Sequence, residues 1–212
     1  MRTDDLIKAL VADRAIDGAS LRRVFLLFLV GGTAVSVALF ILGVGLRNDI
    51  AVAAGSVRFQ FKFVLMIVVA VAGAGLALRL SRPGTGPGIW RWTPVAIMGL
   101  FAVGVGGELL EVPAAMWPAK LMGSNSWACV TTIPVLALAP MACVLAAMKN
   151  GAPTRPRLAG LAAGLLSAGL AATLYALNCA DDSPLFVAVW YPVGIGIVVA
   201  AGAVVGPRVL RW

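Results

Sequence analysis

The chain is divided into long apolar segments with polar segments between them. Six apolar runs of roughly 20 residues are separated by short polar connections, and a helix of about 20 residues crosses a hydrocarbon core about 30 Å thick. We therefore predict an all-α, polytopic membrane protein, a single bundle of six transmembrane helices in which neighbours run antiparallel. The predicted spans are residues 24–46, 61–80, 93–112, 127–148, 158–177 and 185–205.

Residues 1–23 form a separate polar tail ahead of this bundle. Thr3 can cap a short helix, and negative charge in its first turn suits the helix dipole. Four apolar residues then fall within an arc of about 140° at 100° per residue. A helix of about ten residues is unstable alone in water, so we expect its apolar face to bind a protein partner; a disordered tail is the alternative. The predicted partner-binding residues are Thr3, Asp4, Asp5, Leu6, Ile7, Leu10 and Val11.

Composition supports the membrane assignment and gives an orientation. Hydrophobic residues make up 61% of the chain and charged residues only 12%, against about 25% charged in a soluble domain. Of the 17 Lys and Arg residues, 13 fall on the side of the two termini and 4 on the other side. Because positive charge collects on the cytoplasmic side, both termini are expected in the cytoplasm. This distribution accounts for the net charge of +8 without nucleic-acid binding.

The connection between the fifth and sixth spans, residues 178–183, carries the first candidate chemistry. Asp182 or Ser183 is suited to the N-cap of the sixth span, and Pro184 to its first helical position. Cys179 lies in this turn, at the side of the membrane opposite the termini. If Ser126 is the N-cap of the fourth span, Cys129 lies in the first turn of that helix, where the dipole favours a thiolate.

Two thiols at neighbouring helix ends make a candidate sensor pair, with Cys129 as the expected attacking thiol. They could form a disulfide or bind a soft metal ion; simple packing of two small apolar side chains is the alternative. Cys143 lies 14 residues beyond Cys129, roughly 21 Å further along the helix, and is predicted to be a packing residue. The chain has no His, the commonest metal ligand and general base.

Glu108 and Glu111 lie three residues apart at the end of the third span and so share a face. Carboxylates at membrane depth are candidate functional residues, and these two could complete a mixed sulfur and oxygen metal site with the cysteines. The alternative is that they reach the membrane surface or pair with Lys62. Arg47 is expected to be a surface anchor. Glycine pairs in the fifth and sixth spans predict close helix packing.

Residues 151–195 resemble the NrsF family of membrane anti-sigma factors. The resemblance is carried by the pattern YALxCxxDSxxFVAxWY at residues 175–191 and by Trp127-Ala128-Cys129. The six-span layout and the Thr3-Asp4-Asp5-Leu6-Ile7 opening agree with it, so the likeness covers the whole chain. The sequence departs from the family pattern at Asn178, where His is common, and at Ala180, where Pro is common.

The resemblance implies a regulator of the bacterial inner membrane rather than an enzyme. Its cytoplasmic tail would hold an extracytoplasmic-function sigma factor, and cysteines matching Cys129 and Cys179 would receive a heavy-metal or oxidant signal that releases it. No cofactor is expected beyond a transient soft metal ion, and no direct contact with nucleic acid.

Two other functions remain open from the sequence. A small transporter or channel would use Glu108 and Glu111 together with a fourth span broken at Pro134 and Pro140. A membrane thiol oxidoreductase is a weaker alternative, because the chain contains no Cys-x-x-Cys.

Overall fold

The structure, a computed structural model, describes residues 3–211, with all their side chains except those of Asp4 and residues 6–20. Within these residues the chain is all helical, and six helices are long and apolar enough to cross a membrane, which confirms the six predicted spans. The helices are α1 Thr3–Leu39, α2 Ile50–Ala53, α3 Val57–Leu80, α4 Thr93–Glu111, α5 Trp117–Met122, α6 Ser126–Lys149, α7 Pro156–Ala176 and α8 Pro184–Val209. Helix α1 ends in a π-helical turn, Phe40–Val44, and 3₁₀ turns at Gly88–Trp92 and Ala114–Met116 precede α4 and α5.

The tail and the first span form one continuous helix, α1, of 37 residues. This differs from the sequence analysis, which expected a separate helix of about ten residues capped by Thr3; Thr3 is itself helical. The physical reason is that residues 12–23 contain no proline and only one glycine, so the helix of the first span can extend backwards without a new nucleation step. The predicted contacts of Asp4, Leu6, Ile7, Leu10 and Val11 lie outside the described side chains.

Helix α7 lies at the centre of the bundle and packs against α3 on one side and α8 on the other. A methyl group added to Gly160 would overlap the carbonyl oxygen of Gly202, and one added to Gly73 would overlap the backbone of Leu166. The backbones therefore approach as closely as small residues permit. The predicted close packing of the fifth and sixth spans is confirmed.

Helix α6 stays helical through both of its internal prolines, so the break in this span that the transporter alternative considered is not present. Pro140 has no N–H to donate to the carbonyl oxygen of Leu136, four residues earlier. The Ser36 hydroxyl of α1 donates to this oxygen instead, at 2.6 Å. A neighbouring helix thus satisfies the freed backbone group, as a bilayer requires.

The two ends of the bundle differ in what they contain. At one end Gly151 lies against the carbonyl of Ser81, and Gly206 against Pro156; Arg22, just inside the first span, lines a cavity with Arg79 at this same end. The first span therefore starts, and the last span finishes, at this end, which we call the terminal end. The opposite end holds residues 45–56, 112–125 and 177–183, and we call it the cysteine end.

Candidate functional site

The turn at residues 178–183 joins α7 to α8 at the cysteine end. Ser183 is the N-cap of α8 and Pro184 its first helical residue, as predicted. The Cys179 amide still donates to the Tyr175 carbonyl of α7, at 3.0 Å, which places the thiol directly beyond the helix end. Cys179 and Ser183 are both buried, so this polar turn is folded inward rather than displayed.

Two basic side chains converge on one carboxylate of the turn, Asp182. Lys62 of α3 is 0% exposed; its ammonium donates to one carboxylate oxygen of Asp182 and to the Cys179 carbonyl, the latter at 2.9 Å. Arg47 donates to the other carboxylate oxygen at 2.8 Å and to the same Cys179 carbonyl at 3.2 Å. A buried charge is tolerated when it is paired and hydrogen-bonded, and these three side chains satisfy one another.

Arg47 is therefore not the surface anchor expected from the sequence, since its side chain is only 9% exposed. The π-helical turn ends at Gly45, which has a φ of 75°, and this brings the chain back towards the bundle. The amide of Arg47 then donates to the Leu177 carbonyl at 3.2 Å. Asn178 donates its side-chain amide to the Gly45 carbonyl at 3.0 Å, so α1 and the turn are joined through both backbone and side chains.

Arg47 also binds the exposed carboxylate of Asp49, at 2.7 Å. The hydrogen bond with Asp49, together with Asp182, raises the pKa of Arg47 above its ordinary value. The same bond lowers the pKa of Asp49. Both groups consequently remain charged over the physiological pH range.

Asp181 fastens the turn to the segment before α6. Its carboxylate accepts hydrogen bonds from the backbone amides of Ser124, at 3.0 Å, and Asn125, at 2.9 Å. Asn125, not Ser126, is the N-cap of α6, because the chain turns one residue earlier to present these amides to Asp181. Cys129 nevertheless lies in the first turn, with its amide bonded to the Asn125 carbonyl at 2.9 Å.

The two glutamates of α4 belong to a second polar group. Glu108 is buried, binds Arg58 at 2.7 Å and accepts a hydrogen bond from the Ser183 hydroxyl at 2.9 Å. Glu111 binds the same Arg58 at 3.1 Å. The pairing with Lys62 considered as an alternative is wrong, because Lys62 binds Asp182 and Arg58 takes its place.

The two predicted sensor thiols lie together beneath the turn. Cys129 is 0% and Cys179 1% exposed, and both are free. Hydrogen bonds from the Asn125 amide to Asp181 and from the Tyr175 hydroxyl to the Asn125 carbonyl join the start of α6 to the end of α7. The structure thus confirms that the ends of the fourth and fifth spans are neighbours. Burial raises the pKa of Cys179 above that of an exposed thiol, partly offset by Lys62.

Two tyrosines complete the surroundings of the thiols. The rings of Tyr175 and Tyr191 lie 6.0 Å apart, and both side chains belong to the same buried core cluster as the two thiols. The Tyr191 hydroxyl is fully buried and has no hydrogen-bond partner among the described residues. Cys143, further along α6, is half-buried and lies against Gly32 of α1, as expected of a packing residue.

Among the side chains that the structure describes, no three of His, Cys, Asp or Glu are grouped so that they could hold a metal ion. The structure brings Cys129 and Cys179 together, while Glu108 and Glu111 are engaged by Arg58. Lys62, Arg47 and Asp182 were not recognised from the sequence as parts of the site. The available signal was a lysine inside an apolar run, since an ionisable residue at membrane depth needs a partner.

Comparison with known proteins gives a consistent result along the whole chain. Residues 10–212 match the family NrsF, described as "Negative regulator of sigma F". The chain is 39% identical over 217 residues to the anti-sigma-F factor NrsF of Caulobacter vibrioides, and 34% identical over 218 residues to the probable anti-sigma-F factor NrsF of Azospira oryzae. Each alignment covers 100% of both chains. No solved structure matches the chain significantly.

Proposed function

Because the chain belongs to the NrsF family of anti-sigma-F factors, which are regulators rather than enzymes, we propose that it holds a sigma F factor inactive at the bacterial inner membrane. The cytoplasmic tail, residues 1–23, binds the sigma factor, and the six-helix domain, residues 24–212, receives the signal. Cys129 and Cys179 face the periplasmic side and respond to a heavy metal or an oxidant. Response to that signal releases the sigma factor.

The continuous helix α1 supports a role for the tail. From Thr3 to the start of the span at Leu21 it extends for 18 residues, about 27 Å at 1.5 Å per residue. A helix of this length can present a binding face well clear of the bundle. The excess of Lys and Arg at the terminal end favours the cytoplasmic side for this segment.

The observation that carries the sensor assignment is the buried pair of thiols at the cysteine end. A two-electron oxidant would join the sulfurs as a disulfide by accepting two electrons and two protons. A soft metal ion would instead bind two thiolates and release two protons. Either event changes the contacts of the turn at residues 178–183, because Cys179 is part of it.

Helix α1 also provides a physical connection between the two ends. Its π-helical turn, Phe40–Val44, lies against Asn178, and its first described residue is Thr3. A signal can change the tail only if it favours one arrangement of the bundle over another. Displacement of the turn would act directly on the end of the same helix that carries the tail.

The sensor assignment is tested by replacing both Cys129 and Cys179 with Ser and measuring a sigma-F-dependent reporter. We expect induction by cadmium or an oxidant to be abolished, while the amount of protein in the membrane stays the same. Cys143→Ser is the control and should retain induction, since Cys143 is a packing residue. A normal induction curve in the double variant would refute the assignment.

The tail assignment is tested by co-purification of the sigma factor with the full-length protein from membranes. Leu6→Asp combined with Leu10→Asp places charge on the predicted apolar face and should abolish the complex. On a helical wheel Ala12 and Ala19 lie on the opposite face, so Ala12→Asp with Ala19→Asp is the matched control. Equal recovery of the sigma factor with both variants would exclude this face as the binding surface.

A further inference from the structure

The charged side chains of Lys62, Arg47 and Asp182 are buried more deeply than side chains that only anchor a helix at a membrane surface. Lys62 is 0%, Arg47 9% and Asp182 17% exposed at the side chain. Removing one partner from such a group leaves an uncompensated buried charge, which is strongly destabilising. Buried ion pairs therefore strongly favour the one position of a segment in which all the charges are paired.

These charges act on the backbone that carries the sensor thiol. Both Lys62 and Arg47 donate to the peptide carbonyl of Cys179, at 2.9 and 3.2 Å. The following residues, Ala180 to Ser183, have no regular secondary structure before α8 begins. The position of this irregular segment consequently depends on side-chain contacts, and the contacts with Asp182 are ionic.

The same segment contacts the Cys179 thiol, whose Sγ lies 3.8 Å from the Asp181 carbonyl oxygen, and it also lines a cavity. A cavity of about 340 Å³ lies between α5 and the turn, whereas Cys179 and Cys129 are 1% and 0% exposed. Its lining residues are Met116, Ala119, Lys120, Gly123, Ala180, Asp181, Asp182 and Ser183. Movement of residues 180–183 away from Lys62 and Arg47 would open the thiols to this cavity.

We propose that Lys62, Arg47 and Asp182 form a latch that keeps the turn closed over Cys179 and Cys129, and that its release admits a thiol-reactive inducer from this cavity. Lys62 and Arg47 are positioning residues and do not contact the inducer. The inference rests on the proposed sensor function and adds its regulation. In the closed state the thiols do not react, so the rate of reaction is set by how often the turn opens.

The test measures thiol alkylation in the full-length protein held in lipid nanodiscs. N-ethylmaleimide is the probe, and mass spectrometry of peptides gives separate rates for Cys129, Cys179 and Cys143. Lys62→Met and Asp182→Asn should each accelerate alkylation of Cys129 and Cys179 by about tenfold or more, since each breaks a buried ion pair. Glu111→Gln, which removes an exposed ion-pair partner at the same end, is the matched control and should leave both rates within about twofold of wild type, as expected for surface pairs.

A double variant guards against misfolding of the single ones. Lys62→Met with Asp182→Asn leaves no lone member of that pair buried, and Arg47 keeps its ion pair with Asp49, so the protein should fold. The latch is nevertheless lost, and fast alkylation should persist. Wild-type rates at Cys129 and Cys179 in this variant would overturn the proposal. Equal acceleration at Cys143 would also overturn it, because the opening would then involve the whole bundle rather than the turn.

The latch and the sensor function can fail separately. The alkylation rates test the latch without reference to a sigma factor, whereas the reporter in the double serine variant tests the sensor. Fast alkylation in the latch variants, together with normal induction in the serine variant, would support the latch. It would also show that the thiols under the latch do not sense the inducer. Loss of induction in the serine variant with unchanged alkylation in the latch variants would keep the sensor and remove the latch.

Discussion

The thiol of Cys179 lies in an environment that favours its protonated form. Burial is the main cause of its raised pKa, while Lys62 and the Asp181 backbone act in the opposite direction. Since the thiolate is the reactive species and the metal ligand, the folded protein holds this thiol in its unreactive form. Protection of the thiol is thus both steric and electrostatic.

The pH dependence of Cys179 alkylation tests whether burial keeps this thiol protonated. The folded protein retains the thiol proton above the ordinary pKa of about 8.5, so the closed form loses stability relative to the open form as the pH rises past that value. In a Cys129→Ser, Cys143→Ser background the alkylation rate should therefore keep rising beyond pH 8.5. The same protein in guanidinium chloride supplies the reference. If the alkylation rate of the folded protein reaches its midpoint at or below the pH found for the denatured protein, burial does not control the pKa of this thiol.

At the same scale, Tyr191 presents a hydroxyl that is buried without a partner in the described part of the chain. An unsatisfied buried polar group costs about 1–3 kcal/mol. Tyr191→Phe keeps the ring and removes the cost, so it should raise stability by about 1 kcal/mol in thermal unfolding. Tyr175→Phe, whose hydroxyl contacts the Asn125 carbonyl at 3.5 Å, is the comparison and should not stabilise. A less stable Tyr191→Phe protein would show that this hydroxyl is paired with the nearby thiol of Cys179.

Residue patterns within a short stretch were readable from the sequence, whereas pairs across the chain were not. Ser183 and Pro184 were assigned correctly because capping depends on a few neighbouring residues. Arg47 and Asp182 are 135 positions apart, and nothing local indicates that Arg47 turns back into the bundle. The sequence suggests Lys62 as a partner for the glutamates of α4. The packing of α3 beside α7 instead places its ammonium against the Cys179 carbonyl in the turn.

At the scale of the helices, the six spans were predictable because hydrophobic length is the dominant signal in a membrane protein. The continuity of α1 was not, since a polar tail and an apolar span read as separate segments when only hydropathy is considered. The helical state of α6 through two prolines also depends on a neighbour, Ser36 of α1. Helix ends and breaks are therefore decided by tertiary contacts that the sequence does not display.

The packing of α7 against α8 yields a prediction at this scale. Gly160→Ala places a methyl group on the carbonyl of Gly202, whereas a methyl group at Gly196 of α8 meets nothing within 4 Å. Overpacking of this kind costs about 1–3 kcal/mol. Gly160→Ala should unfold at lower temperature in detergent, while Gly196→Ala should match wild type. Equal unfolding temperatures for the two variants would mean that α7 and α8 are not in backbone contact.

At the scale of the whole molecule, the two ends of the bundle have separate chemistry but share one helix. The cysteine end holds the thiols, the ion pairs of Asp182 with Lys62 and Arg47, and the second ion-pair group around Glu108, while α1 leaves the bundle at the terminal end as the tail. The proposed sensor and the proposed binding segment, on opposite sides of a membrane, would need a connecting element with two arrangements. Helix α1 is suited to this role because the carbonyls of Val44 and Gly45 accept hydrogen bonds from Asn178 in the turn at residues 178–183.

This arrangement requires the terminal end to face the cytoplasm, and accessibility to a reagent tests it. In a chain with all three cysteines replaced by Ser, Val52→Cys marks the cysteine end and Thr154→Cys the terminal end; both positions are exposed. A membrane-impermeant maleimide applied to intact spheroplasts should label position 52 but reach position 154 only after lysis, since positive charge favours the cytoplasmic side. The reverse pattern would place the tail outside the cell, where it could not bind a sigma factor, and the proposed function would fall with it.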